Sequence, residues 1–81
     1  MKSYRLLLNK PDVFLDSELF SALVNAALEL VDAYETYGSL IDEKDPTYKS
    51  KMILRTIMGR SKTTFEDTPD FEKLSSKYES L

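Results

Sequence analysis

The sequence has no cysteine and no histidine. Without cysteine there is no disulfide framework, no thiol nucleophile and no thiolate zinc site. Without histidine there is no imidazole base and no imidazole metal ligand. Most small-enzyme chemistry is thereby removed, so the expectation is a non-enzyme with no cofactor and no small-molecule substrate. Long apolar runs are missing too. Near the start only Leu6-Leu7-Leu8 interrupts the polar residues, well short of the roughly 7–15 apolar residues of a signal peptide. Nothing approaches the roughly 18 apolar residues of a membrane span. These features predict a cytoplasmic chain with no membrane partner.

What is present is a globular composition. The 81 residues are 42% hydrophobic and 31% charged, which predicts a single domain over 1–81. A domain this small buries only about 60% of its unfolded surface. So modest a core gains stability from a shared face, which makes a homodimer plausible.

The net charge of −3 conceals a segregation. Residues 1–10 carry Lys2, Arg5 and Lys10 without an acid. From Pro11 to Asp45, nine acids face Lys44 alone. From Pro46 to Phe65 the sign reverses, with Lys49, Lys51, Arg55, Arg60 and Lys62 and no acid. The remaining tail is acidic again. Such patterning concerns partners and association rather than fold. Its simplest origin is an acidic helix packed beside a basic one.

Two glycines and three prolines punctuate the chain. Pro11, Pro46 and Pro69 each suit a first helical position, where the missing N–H costs nothing. Asp45 and Thr68 precede two of them as N-cap oxygens. Gly38 and Gly59 read as helix ends, where glycine enters a left-handed cap without penalty. The expected fold is all-α, a small three- to four-helix bundle. Its helices span about 16–37, 46–58 and 69–79, and residues 3–8 form either a helical turn or a strand, with helix preferred. In the first long helix Phe20, Leu23, Val24, Ala27, Leu30, Val31 and Tyr34 share one face. That face is wider than a single neighbour requires, which predicts the central helix. Ile53, Leu54, Ile57 and Met58 form the expected buried stripe of the second, and Phe71, Leu74, Tyr78 and Leu81 that of the last.

Three surfaces carry candidate function. On the second helix Tyr48 and Met52 lie one turn apart, away from Ile53, Leu54 and Ile57, with Lys51 and Arg55 beside them. Aromatic, Met and Arg side chains are enriched in interface cores. These four residues therefore predict a site for a protein partner or a second copy, and the leading reading is an adaptor, inhibitor or regulator. The alternative is a DNA-binding regulator with a degenerate helix-turn-helix around residues 46–67. Gly59 would permit its turn, and Phe65 would anchor its second helix. Lys49, Lys51, Arg55, Arg60 and Lys62 would meet phosphates, with Lys62 and Thr63 near bases. Against it stand Arg55 at a close-packing position, Glu66 and Asp67 in the proposed reading helix, and Pro69 ending that helix early. The same loop is no phosphate-binding motif, because Ser61 replaces the required glycine before Lys62.

The third surface is the acidic face of the first long helix. Glu29 and Asp32 lie one turn apart there, with Glu18 on the same side. Spaced carboxylates on a rigid helix can imitate nucleic-acid phosphates in a salt-sensitive way. A metal or acid–base site would need further ligands that Asp42, Glu43 and Asp45 are not visibly placed to give.

Overall fold

The computed structural model describes residues 2–10, 12–38, 40 and 45–81. Among them are four helices and no strand: α1 Lys2–Leu8, α2 Ser17–Tyr37, α3 Pro46–Phe65 and α4 Pro69–Ser80. The Pro11 start signal, Ile41, Asp42 and Glu43 lie outside the described residues. The leucines of the N-terminal segment are helical rather than extended. No helix of the described residues is long and apolar enough to cross a membrane.

α2 starts where its cap residue dictates. The Asp16 carboxylate accepts from the Glu18 and Leu19 N–H groups at 2.8 and 3.1 Å, satisfying two donors that the first turn leaves without carbonyl partners. Phe20, Leu23, Val24, Ala27, Leu30 and Val31 are buried along it. Full burial of each large side chain stabilises by roughly 1.5–3 kcal/mol. The apolar face meets α1, α3 and α4, so α2 is the central helix.

Gly38 caps α2, but not in the expected left-handed conformation. Its φ is −53° and its N–H donates to the Tyr34 carbonyl at 2.9 Å. Glycine is required here by proximity. A Cβ would fall 2.6 Å from the Pro46 Cβ and 2.8 Å from its Cγ, distances that only displacement could relieve. The start of α3 therefore lies directly against the end of α2.

The second helix does not end at Met58. α3 continues unbroken through Gly59 to Phe65, and the reason is packing. Glycine in a helix interior costs about 1 kcal/mol relative to alanine. Beyond it, Ser61 is fully buried and Phe65 nearly so. The Phe65 ring stacks on Phe20, with centroids 4.2 Å apart and planes 2° from parallel. Burying a phenylalanine and stacking it on another outweighs the glycine penalty. Ser61 returns its hydroxyl to the Ile57 carbonyl at 2.6 Å, so this small polar residue is satisfied within α3.

Thr68 makes the next corner. Its hydroxyl donates to the Phe65 carbonyl at 2.7 Å and accepts from the Phe71 N–H at 3.3 Å, tying the end of α3 to the start of α4. α4 buries Leu74 completely, with Tyr78 and Leu81 packed at the margin of the core. It touches both α2 and α3. The molecule is thin, with principal extents of 36, 25 and 15 Å. The short dimension accommodates two layers of helices about 8–10 Å apart. Its accessible surface of 5498 Å² exceeds the ~5000 Å² of a compact monomer of this mass.

Candidate protein-interaction surface

The continuation of α3 through Gly59 gives that helix two opposed stripes. Ser50, Leu54, Ile57, Ser61 and Phe65 are buried. Tyr48, Met52, Arg55, Gly59 and Lys62 are all exposed. The exposed residues follow spacings of four, three, four and three. That is the heptad rhythm that keeps side chains in line along one face of a helix. Tyr48 retains 61% of its surface and Met52 49%, which are large values for such residues on a folded helix.

The N-terminal end of this stripe is firmly placed. Pro46 is the first residue of α3, and the Asp45 carboxylate accepts from the Tyr48 N–H at 2.9 Å. Thr47 and Ser50 donate their hydroxyls to the Glu35 carboxylate of α2 at 3.2–3.3 Å. These contacts fix the first turn of α3 on α2 and direct Tyr48 to the other side.

Two grooves run along the α3–α4 seam. One, of about 460 Å³, is lined by Tyr48, Lys51, Met52, Arg55 and Thr56 with Tyr78 of α4. The other, of about 400 Å³, is lined by Arg55, Met58, Gly59 and Lys62 with Phe71 and Tyr78. They share Arg55 and Tyr78, so together they form one trough along the exposed stripe. Its walls combine Met and aromatic side chains with three cations and include no carboxylate. Lys51, Arg55 and Lys62 have no ion-pair partner among the described residues.

The four residues singled out for partner binding, Tyr48, Lys51, Met52 and Arg55, thus lie in one groove. Sequence reasoning missed Met58, Gly59, Phe71 and Tyr78 as parts of the same surface. The signal that adds Gly59 and Lys62 to the stripe is its four-three spacing, which ending the helix at Met58 cuts short.

The helix-turn-helix expected around residues 46–67 is not formed. Gly59 lies inside an unbroken run of helix, and no second helix begins before Pro69. Its proposed phosphate contacts are also divided. Lys51, Arg55 and Lys62 line the seam, whereas Arg60 holds its guanidinium 4.6 Å from the centre of the Phe14 ring. Lys49 follows Tyr48 by about 100° around the helix and leaves the stripe. Thr63 is exposed, about 100° beyond Lys62.

The acidic residues Glu18, Glu29 and Asp32 are exposed on α2. Asp32 is paired with Lys77 of α4 at 3.1 Å. This ion pair crosses a larger trench of about 700 Å³, whose Asp32, Glu72, Lys73 and Lys77 present both signs of charge. Of the acids of α2, Asp32 therefore meets α4 through a lysine and Glu35 meets α3 through two hydroxyls. No group of three or more potential metal ligands converges among the described residues.

No family model matches the chain, and no solved structure matches it. The whole chain is 36% identical, over 87 aligned positions, to a TPR repeat-containing protein of Schizosaccharomyces pombe, of which it covers 11%. Over 90% of its length it is 27% identical to a Saccharomyces cerevisiae protein named Essential for maintenance of the cell wall protein 1, of which it covers 9%. The chain spans about a tenth of the length of the curated relatives it matches.

Proposed function

We propose that this chain is a helical module that works by holding a protein partner, and not by catalysis. The observation that carries the reading is the exposed heptad-spaced stripe on α3, beginning with Tyr48 and Met52 and walled by Tyr78. A helix that has already buried one stripe has no packing need for a second row containing a tyrosine and a methionine. Such side chains bury large areas at modest entropic cost and are enriched in interface cores.

The similarity to a protein named for TPR repeats supports the same reading. Helical repeat units pack on their neighbours and present extended surfaces to partners. A slab 15 Å thin with its surplus of accessible surface suits such a role. Adaptor, regulator and inhibitor are all compatible with a protein-binding seam.

The test is site-specific photocrosslinking in the host cell. A benzophenone side chain at Tyr48 or Met52 is expected to trap a protein in a discrete adduct, while the same group at Glu29 does not. Absence of any protein adduct at both seam positions would remove this reading.

A further inference from the structure

Resting on the seam as a protein-binding site, we infer that its occupant is an acidic amphipathic helix laid along α3, with its closest approach at Gly59. Three observations converge on that occupant. The first is the spacing. Tyr48, Met52, Arg55, Gly59 and Lys62 keep the four-three rhythm over four consecutive intervals, about 21 Å of helix. An extended peptide has no use for that rhythm. A second helix does, because its own side chains interlock at the same period.

The second observation is charge. The trough is lined by Lys51, Arg55 and Lys62 and by no acid. The whole of α3 carries five cations and no carboxylate in a chain whose net charge is −3. The three seam cations find no ion-pair partner among the described residues. They share the lining of the trough with Met52, Met58, Phe71 and Tyr78. A partner helix with apolar residues on one face and Glu or Asp at its edges would satisfy both features. A basic or neutral helix would leave the cations unanswered, and complementary potential is what excludes the wrong partner.

Gly59 is the third. It is exposed in the middle of a 20-residue helix, and a Cβ built on it would meet nothing within 4 Å. Alanine would fit there and favour the helix, so nothing within the chain calls for glycine. Its neighbours in the stripe, the long side chains of Arg55 and Lys62, line the same groove. The result is a saddle in the line of side chains. A partner helix can lower a large apolar residue onto the α3 backbone at that saddle, as small residues permit where helices approach closely.

The probes are two designed helical peptides of about three heptads. Both carry leucine at the a and d positions; one has glutamate at e and g, the other lysine. Binding to the intact chain is read by fluorescence anisotropy. The glutamate peptide is expected to bind at least tenfold tighter than the lysine peptide, and to weaken as salt is raised. Arg55→Glu/Lys62→Glu is expected to invert that preference. Gly59→Gln, which introduces a good helix former, is expected to weaken the glutamate peptide at least tenfold while the thermal midpoint stays level or rises.

Equal affinity for the two peptides, no binding of either, or unchanged binding by Gly59→Gln would overturn the inference. If the peptides fail while a benzophenone at Tyr48 still traps a protein, the seam remains a binding site and only its helical, acidic occupant is lost. Light scattering that finds a dimer, dispersed by Met52→Glu, would assign the seam to a second copy instead. A labelled DNA duplex that binds at moderate salt and displaces the glutamate peptide would assign it to nucleic acid.

Discussion

The two faces of α3 obey the same helical geometry and opposite chemistry. The inward face carries Leu54, Ile57 and Phe65, with Ser50 bonded to Glu35 of α2 and Ser61 to the Ile57 carbonyl. Every residue on it is accounted for by a contact or a hydrogen bond. The outward face carries Tyr48, Met52, Arg55, Gly59 and Lys62, and all of them remain exposed. One face is explained by the fold and the other is not. A helix whose second face is merely solvated would carry Lys, Glu, Gln and Ala, which favour helix and solubility. A tyrosine and a methionine there lower solubility and a glycine weakens the helix, costs that the proposed partner would offset.

The contrast can be broken most forcefully from the inside. Phe65→Ala removes the stack on Phe20 and the reason for α3 to continue past Gly59. It is expected to cost about 3–5 kcal/mol, measured by urea unfolding. A loss under about 1 kcal/mol would mean that the end of α3 is not held by the core. Removing the cap of the central helix by Asp16→Ala should cost about 1 kcal/mol, with the loss appearing in the same unfolding curves. No loss would show that the two N–H bonds to its carboxylate contribute nothing net.

The outward face should behave in the opposite sense. Gly59→Ala is expected to stabilise the chain by roughly 0.5–1 kcal/mol, seen as a higher thermal midpoint, because its Cβ enters open space. Destabilisation would place a turn or a close contact at Gly59 and undo the continuous α3. Smallest of all, Met52→Ser should alter unfolding free energy by no more than about 0.5 kcal/mol. A loss of several kcal/mol would make Met52 part of the core, and the two-face account would fail.

Helix starts were plain in the sequence because their chemistry is local. Asp45-Pro46 and Thr68-Pro69 cap where short-range hydrogen bonding says they must, and the wide apolar face of α2 announces the central helix. Gly59 was misleading for the converse reason. Its local cost is real, but the decision is made by Phe65 reaching Phe20, residues far apart in the chain that no window around Gly59 contains. Gly38 ended its helix as expected, though through its closeness to Pro46 rather than a left-handed turn.

The same long-range decision governed the candidate surface. Tyr48, Lys51, Met52 and Arg55 stood out by type and placement alone. Gly59 and Lys62 join them only once α3 is known to be continuous, and Phe71 and Tyr78 only once α4 is folded against it. The basic residues of the segment looked like a single patch. Folding divides them, sending Arg60 to the Phe14 ring and leaving Lys51, Arg55 and Lys62 on the seam.

The most direct test of the account is an amide NMR titration of the isotopically labelled chain with the glutamate-flanked peptide. The account predicts shifts concentrated on Tyr48, Met52, Arg55, Gly59 and Lys62 and on the facing residues Phe71 and Tyr78, with Glu29 and its neighbours on α2 unmoved. Shifts centred on the acidic face of α2, or none at the seam with the peptide in excess, would contradict it.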